Sequence, residues 1–99
     1  MTEAIYYILL ALRHANHGYG IIQEVAEMTG GRVNLGPGTL YGAINSLLER
    51  GWIVLLRADP ASRKKKEYVI TDAGRRAFAS ELRRLGELLE NGRKMEEEA

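Results

Sequence analysis

The residues best suited to chemistry stand together in Pro37-Gly-Thr-Leu-Tyr-Gly-Ala-Ile-Asn-Ser46. Pro37 fits the first position of a helix, where a missing N–H costs nothing. Gly36 before it is an acceptable cap, weaker by a few tenths of a kcal/mol than Ser or Asp. The helix start leaves free N–H groups at Gly38 and Thr39 beside the positive end of the helix dipole, an arrangement that binds phosphate. The hydroxyls of Thr39 and Tyr41 can add contacts, with Ser46 on the Thr39 flank, and Gly42 lets a backbone come close. Asn45 can pair with a base edge, adenine being its best partner. Gly38, Gly42, Asn45 and Glu49 share the face opposite the apolar stripe Leu40, Ile44, Leu47 and Leu48. A merely solvated face would carry Lys and Glu there. This one is small, polar and nearly uncharged, which suits close approach to DNA. Glu49 would then sit toward the groove wall or pair with Arg50.

A second group is basic. Residues 50 to 68 hold Arg50, Arg57, Arg63, Lys64, Lys65 and Lys66 against Asp59 and Glu67, although the net charge of the chain is only +1. The run Arg63 to Lys66 is ambiguous alone, since basic loops are often only solvated. Beside a groove helix it becomes a clamp on the DNA backbone. Tyr19 stands near the expected backbone path and reads equally as a phosphate contact or a core staple.

Other chemistries find little support. His14 and His17, the only histidines, are three apart and could share a metal, but no third ligand accompanies them and they read as capping or surface residues; without cysteine there is no disulfide framework or thiolate site. Gly18-Tyr-Gly20 and Gly36-Pro-Gly38 are turn and helix-start signals rather than nucleotide fingerprints. No nucleophile has both a base and an orienting group. The expectation is a non-enzyme with no cofactor and no metal. The run Ala4 to Leu12 is too short to span a bilayer, and no signal-peptide pattern is present, so a cytoplasmic protein is expected.

The elements that must hold these residues follow from periodicity. A first helix, capped by Thr2, runs to about Arg13 and is apolar nearly all round. Such a helix must be buried on more than one side, and 99 residues supply little material for that. Its second face is therefore expected to meet another subunit. Asn16 or His17 caps a second helix, from about Gly18 to Thr29, ended by Gly30-Gly31. The reading helix then runs from Pro37 to a left-handed stop at Gly51. Beyond it the period changes to 2: Trp52 to Arg57 and Glu67 to Thr71 form a hairpin around Asp59-Pro60, with a basic tip. Trp52 is expected in the core, or lining a ligand cavity. Thr71 or Asp72 caps a last helix whose Phe78, Leu82, Leu85 and Leu89 form a short heptad seam. Its arginines and glutamates, Glu81 among them, read as a solvated, self-pairing face. The tail from Gly92, ending Glu96-Glu97-Glu98, is expected to fray.

This is a mainly α fold with a small β-hairpin: a winged helix-turn-helix with a three-helix core, a two-stranded wing and a C-terminal dimerisation helix. Residues 1–71 make the winged-helix part, and residues 72–99 the dimerisation helix and frayed acidic tail. The expected dimer interface joins Ile5, Tyr6, Leu9 and Leu10 of the first helix to Phe78, Leu82, Leu85 and Leu89 of the last.

Four segments, His17-Gly-Tyr-Gly-Ile-Ile, Gly36-Pro-Gly-Thr-Leu-Tyr41, Leu47-Leu-Glu-Arg-Gly51 and Tyr68-Val-Ile-Thr-Asp-Ala-Gly74, together resemble the PadR family of bacterial transcriptional regulators. The likeness covers about residues 5 to 90. It implies a winged-helix homodimer on a palindromic operator, usually acting as a repressor, with the last helix and the first making the dimer. The single C-terminal helix is like that of the short subfamily. Two departures stand out. The position of Gly36 is often Ser in the family. Some short relatives stack flat drugs on a tryptophan of the last helix, where Phe78 is the only aromatic here.

The expected function is sequence-specific binding of double-stranded DNA by a homodimeric repressor, through Tyr19, Pro37, Gly38, Thr39, Tyr41, Gly42, Asn45, Ser46 and Arg63 to Lys66. Two rival readings use the same fold: a protein-interaction module, and a sensing dimer that holds a small hydrophobic or aromatic effector at its interface.

Overall fold

The computed structural model describes residues 1–59, 61 and 66–98. The elements run α1 (Glu3–Ala11), β1 (Asn16–His17), α2 (Gly18–Met28), α3 (Pro37–Glu49), β2 (Ile53–Ala58), β3 (Lys66–Ile70) and α4 (Asp72–Glu98). Three short helices enclose the core, an antiparallel sheet flanks them, and α4 extends away. This is the winged helix-turn-helix expected.

Local chemistry sets each boundary. The Thr2 hydroxyl caps α1 by accepting from the Ile5 N–H at 3.1 Å. His17 Nδ1 accepts from the Gly20 N–H at 3.2 Å and so caps α2. Gly36 precedes α3 with no side-chain cap bond, as a glycine must. At the other end of α3, Gly51 takes φ +72°. Its N–H donates to the Leu48 carbonyl at 3.1 Å and that of Trp52 to the Leu47 carbonyl at 3.0 Å. This pair of bonds is the Schellman stop, and it needs the left-handed residue that glycine adopts without a Cβ penalty.

The core is shared by all three short helices and the root of the sheet. Ile8, Leu9, Leu12, Ile21, Val25, Leu40, Ile44 and Leu47 are the largest fully buried side chains, with Ile53, Tyr68 and Ile70 closing the sheet side. The sheet is pinned at both ends of its root. The Ile70 N–H donates to the Leu12 carbonyl at 2.8 Å and the Thr71 N–H to the Trp52 carbonyl at 2.9 Å. The Thr71 hydroxyl donates to the Gly51 carbonyl at 2.6 Å and accepts from the Gly74 N–H at 3.1 Å, which caps α4. A Cβ on Gly74 would lie 2.1 Å from the Trp52 carbonyl oxygen, so α4 can start against the sheet root only with glycine there.

Three expectations need correction. The sheet is not confined to the β2–β3 hairpin of the wing: β1 pairs with β3 through Asn16↔Tyr68 and His17↔Glu67, giving a three-stranded sheet of order β1-β3-β2. The segment between α1 and α2 is drawn onto β3, and two residues carry no periodic signal of their own. The acidic tail does not fray from Gly92, because α4 continues to Glu98. A glycine inside a helix costs about 1 kcal/mol relative to alanine. Around Gly92 stand strong helix formers, and Glu90 and Lys94 have the favourable i,i+4 order. Finally, Leu9 is no interface residue. It is 0 % exposed within the subunit's own core, because α1 turns Ile8, Leu9, Ala11 and Leu12 inward.

A candidate nucleic-acid interface on α3

The outward side of α3 presents Pro37, Gly38, Thr39, Tyr41, Gly42 and Asn45, all exposed or half-buried at the surface. Five of these six are uncharged residues with little or no bulk. The amides of Gly38 and Thr39 point from the helix start with no capping side chain in front of them. An anion arriving there meets unsatisfied N–H donors and the helix dipole together. Asn45 lies two turns further along the same side.

Tyr41 sits at the edge of this surface and ties it to α2. It is 50 % exposed. Its hydroxyl oxygen stands 2.7 Å from the place of a Cβ on Gly18, the first residue of α2. Burial pushes the Tyr68 phenol up from its ordinary value, and the nearby Tyr41 phenol adds to the shift. Tyr19, one residue on from Gly18, is 65 % exposed and receives only a 3.4 Å hydrogen bond from Gln23. It is thus free of the core, which removes the reading as a staple. Tyr19 and Tyr41 both stay open to solvent where α2 begins beside α3.

Two expected contacts fall elsewhere. Ser46 faces a cavity with Leu47, Arg50 and Trp52 rather than the outward side of α3. Its place on the helix wheel, on the flank beside Thr39, carries it toward the start of α1. Arg50 does not pair with Glu49. Its guanidinium carbon lies 5.1 Å from the centroid of the Trp52 ring, where an aromatic face attracts the cation. Of the basic loop, Lys66 opens β3. Arg63, Lys64 and Lys65 lie outside the described residues.

The support behind this surface was not visible in the sequence. Glu24 of α2 accepts from Arg13 at 2.7 Å and from Asn16 at 3.0 Å. Arg75 of α4 reaches the Arg13 carbonyl at 3.1 Å. Glu3 pairs with Arg32 and so holds the α2–α3 connector to the start of α1. These bonds tie α2, the α2–α3 connector and α4 to the two ends of α1. Each joins residues of different elements or connectors, from 8 to 62 positions apart, which no helical spacing announces.

Apart from the buried Leu9, the interface residues expected on α1 and α4 divide into three groups. Tyr6 and Phe78 stack on each other within the subunit, with ring centroids 4.7 Å apart. Leu82, Leu85 and Leu89 are exposed, as is Leu88 next to them. Ile5 and Leu10 are half-buried. Beside this seam, Glu81 is only 8 % exposed. It holds Arg84 by two bonds of 2.7 and 2.8 Å, so it is not part of a freely solvated face. Among the described residues no group of acidic and histidine side chains is placed to hold a metal ion. No helix there is long and apolar enough to cross a membrane.

Comparison with known proteins agrees with this geometry. No curated protein matches the sequence. Among solved structures, PadR of Bacillus subtilis, determined in complex with operator DNA, is 26 % identical with a TM-score of 0.71. That match covers 83 % of this chain and 48 % of the other, so this chain spans about half its length. RosR of H. salinarum is 26 % identical with a TM-score of 0.69, over 84 % of this chain and 72 % of that one. A PadR family transcriptional regulator from Eggerthella lenta, at 22 % identity, shares the fold with a TM-score of 0.79, over 92 % and 79 % of the two chains. The sequence profile described as the transcriptional regulator PadR-like family matches residues 8–80. This chain therefore belongs to the PadR-like family of transcriptional regulators, a family of regulators and not of enzymes.

Proposed function

We propose that this protein is a homodimeric repressor that works in the cytoplasm and binds an inverted-repeat operator with one α3 in each of two major grooves. The observation that carries the reading is the outward side of α3, where bare N-terminal amides, Tyr41 and Asn45 share one surface. The amides would take a backbone phosphate and set the register. Tyr19 and Tyr41 would hold the flanking backbone. Asn45 would read a base edge. The B. subtilis relative, solved on operator DNA, lends the assignment weight.

Affinity is assigned mainly to other parts. α3 carries almost no positive charge, so the loop from Arg63 to Lys66 would neutralise phosphate and dominate the salt dependence. Doubling by dimerisation supplies the rest. The exposed leucines of α4 form an apolar seam that a second copy would cover, together with Tyr6, Ile5 and Leu10. The two-fold axis would place half-sites one helical turn apart, roughly 10 bp, or a multiple of that.

An electrophoretic shift with fragmented genomic DNA at low salt tests the reading. Retardation that weakens steeply as salt rises is expected. A folded dimer that retards no fragment at low salt contradicts it and turns the α3 surface into a protein-docking face.

A further inference from the structure

Tyr19 stands between two glycines, and each is pressed by a side chain from outside α2. A Cβ on Gly18 would meet the Tyr41 hydroxyl at 2.7 Å. A Cβ on Gly20 would fall onto the Asn16 amide oxygen, with a His17 ring carbon 3.4 Å away. Neither glycine takes a positive φ, so close approach, not backbone conformation, calls for them. The Asn16 amide is tied at both of its polar atoms. Its Oδ1 accepts from the His17 N–H at 2.9 Å, and its Nδ2 donates to Glu24 at 3.0 Å. Glu24 is itself held by Arg13 at 2.7 Å.

The backbone on either side of Tyr19 is thus fixed, while its side chain is not. The phenol is 65 % exposed and held only by Gln23 at 3.4 Å. Where its hydroxyl points is therefore set by the backbone beneath it. A contact group placed before its partner arrives avoids the ordering cost that binding otherwise carries. We propose that Asn16 is a positioning residue for DNA binding: it fixes the first turn of α2 so that the Tyr19 hydroxyl meets a backbone phosphate already in place.

Asn16 can do this because two elements meet in it. Its backbone pairs with Tyr68 of β3, and its side chain lies over the start of α2. The root of the wing and the Tyr19 contact therefore share one anchor. His17 completes it, accepting from the Gly20 N–H at 3.2 Å. The positioning role rests on the DNA reading of Tyr19, whereas the hold of Asn16 on the backbone does not.

Two measurements test it. In nitrogen-15-labelled, DNA-free protein the Tyr19 amide should have an order parameter of about 0.85, that of rigid backbone. Asn16→Ala and Gly20→Ala should both lower it. The second variant displaces the Asn16 amide without removing a bonding group, and alanine is the better helix former, so its effect is not one of lost helix. The other measurement is a shift titration with a genomic fragment that the wild-type protein selects. Tyr19→Phe should weaken binding about tenfold, the loss of one bond to a charged group. Asn16→Ala and Gly20→Ala should each weaken it about fivefold, but neither should weaken Tyr19→Phe further. Additive losses are what general destabilisation gives, and they overturn the positioning role. So does wild-type affinity in either variant. Unchanged order parameters overturn the hold on the backbone. Wild-type affinity in Tyr19→Phe removes the Tyr19 contact and the role of Asn16 with it. A protein that retards no DNA overturns the DNA reading and this role together, and the order parameters then show whether the hold itself stands.

Discussion

The hydroxyl of Tyr41 stands 2.7 Å from the point where Gly18 would carry a Cβ, with the ring carbon behind it at 3.2 Å. Two segments of the chain, His17-Gly-Tyr-Gly and Pro37-Gly-Thr-Leu-Tyr, are therefore two sides of one contact. The glycine lets the start of α2 come up against the tyrosine that borders the α3 surface.

That contact fixes the sign of a substitution. Helix propensity alone makes Gly→Ala favourable by up to about 1 kcal/mol. Overpacking opposes it, at about 1–3 kcal/mol, and at 2.7 Å from a ring-bound hydroxyl it should prevail. Gly18→Ala should lower stability in denaturant titrations. In a Tyr41→Phe background the nearest atom is gone and the cost should fall by about 0.5 kcal/mol or more. Equal costs in both backgrounds would show that the two residues are not coupled.

Glu81 offers a test by pH. Hydrogen bonds from Arg84 hold its carboxyl well below the ordinary 4.5, at about 2. A group depressed on folding adds stability above its unfolded value and loses it as pH falls toward the folded one. Thermal melts of the wild-type protein should therefore decline between pH 4.5 and 2. Glu81→Gln should be less stable at neutral pH and should lack that part of the slope. Parallel pH profiles for the two proteins would remove the pair from the stability of α4.

The wing prediction concerns slope rather than strength alone. Replacing Arg63, Lys64, Lys65 and Lys66 with alanine should weaken binding to every sequence. It should also flatten the plot of log affinity against log salt by about 0.9 for each phosphate that is no longer neutralised. An unchanged slope in filter-binding or shift titrations means that the loop does not touch the backbone.

The exposed leucines of α4 should matter for assembly. Leu85→Glu with Leu89→Glu puts two charges on the seam while leaving the core of the subunit untouched, since both positions are exposed. Sedimentation should show a dimer for the wild-type protein and a monomer for the double variant, with retained helical content. A double variant that still sediments as a dimer would place the interface away from this seam.

How much of this was legible in the sequence depended on distance along the chain. The limits of α3 were readable because Pro37 and Gly51 act within one turn. The cap at Thr2 was readable for the same reason, and the other two were narrowed to a pair of neighbours each, of which His17 and Thr71 make the bonds. β1 was not, since two residues become a strand only when β3 arrives beside them. Leu9 shared the stripe of Ile5, Ile8 and Leu12, and only the packing of the other elements against α1 decided that it is buried within the subunit. Glu81 belonged to a charge-rich helix, where nothing local separates a buried carboxylate from a solvated one. On α3, the helix wheel put Thr39, Tyr41, Gly42 and Asn45 at the surface, and there they are exposed. The wheel could not show that Ser46 turns toward Trp52, because that depends on where α1 begins its first turn.

Selection of bound genomic fragments, followed by footprinting, tests the reading of α3 most directly. The wild-type protein should protect two symmetric half-sites whose centres lie roughly 10 bp apart, or a multiple. Asn45→Ala should relax preference at one base pair in each half-site, at a cost of about 1–3 kcal/mol, and leave affinity for random DNA unchanged. Protection without two-fold symmetry, or an equal loss on specific and random DNA, would contradict the placement of α3 in the groove.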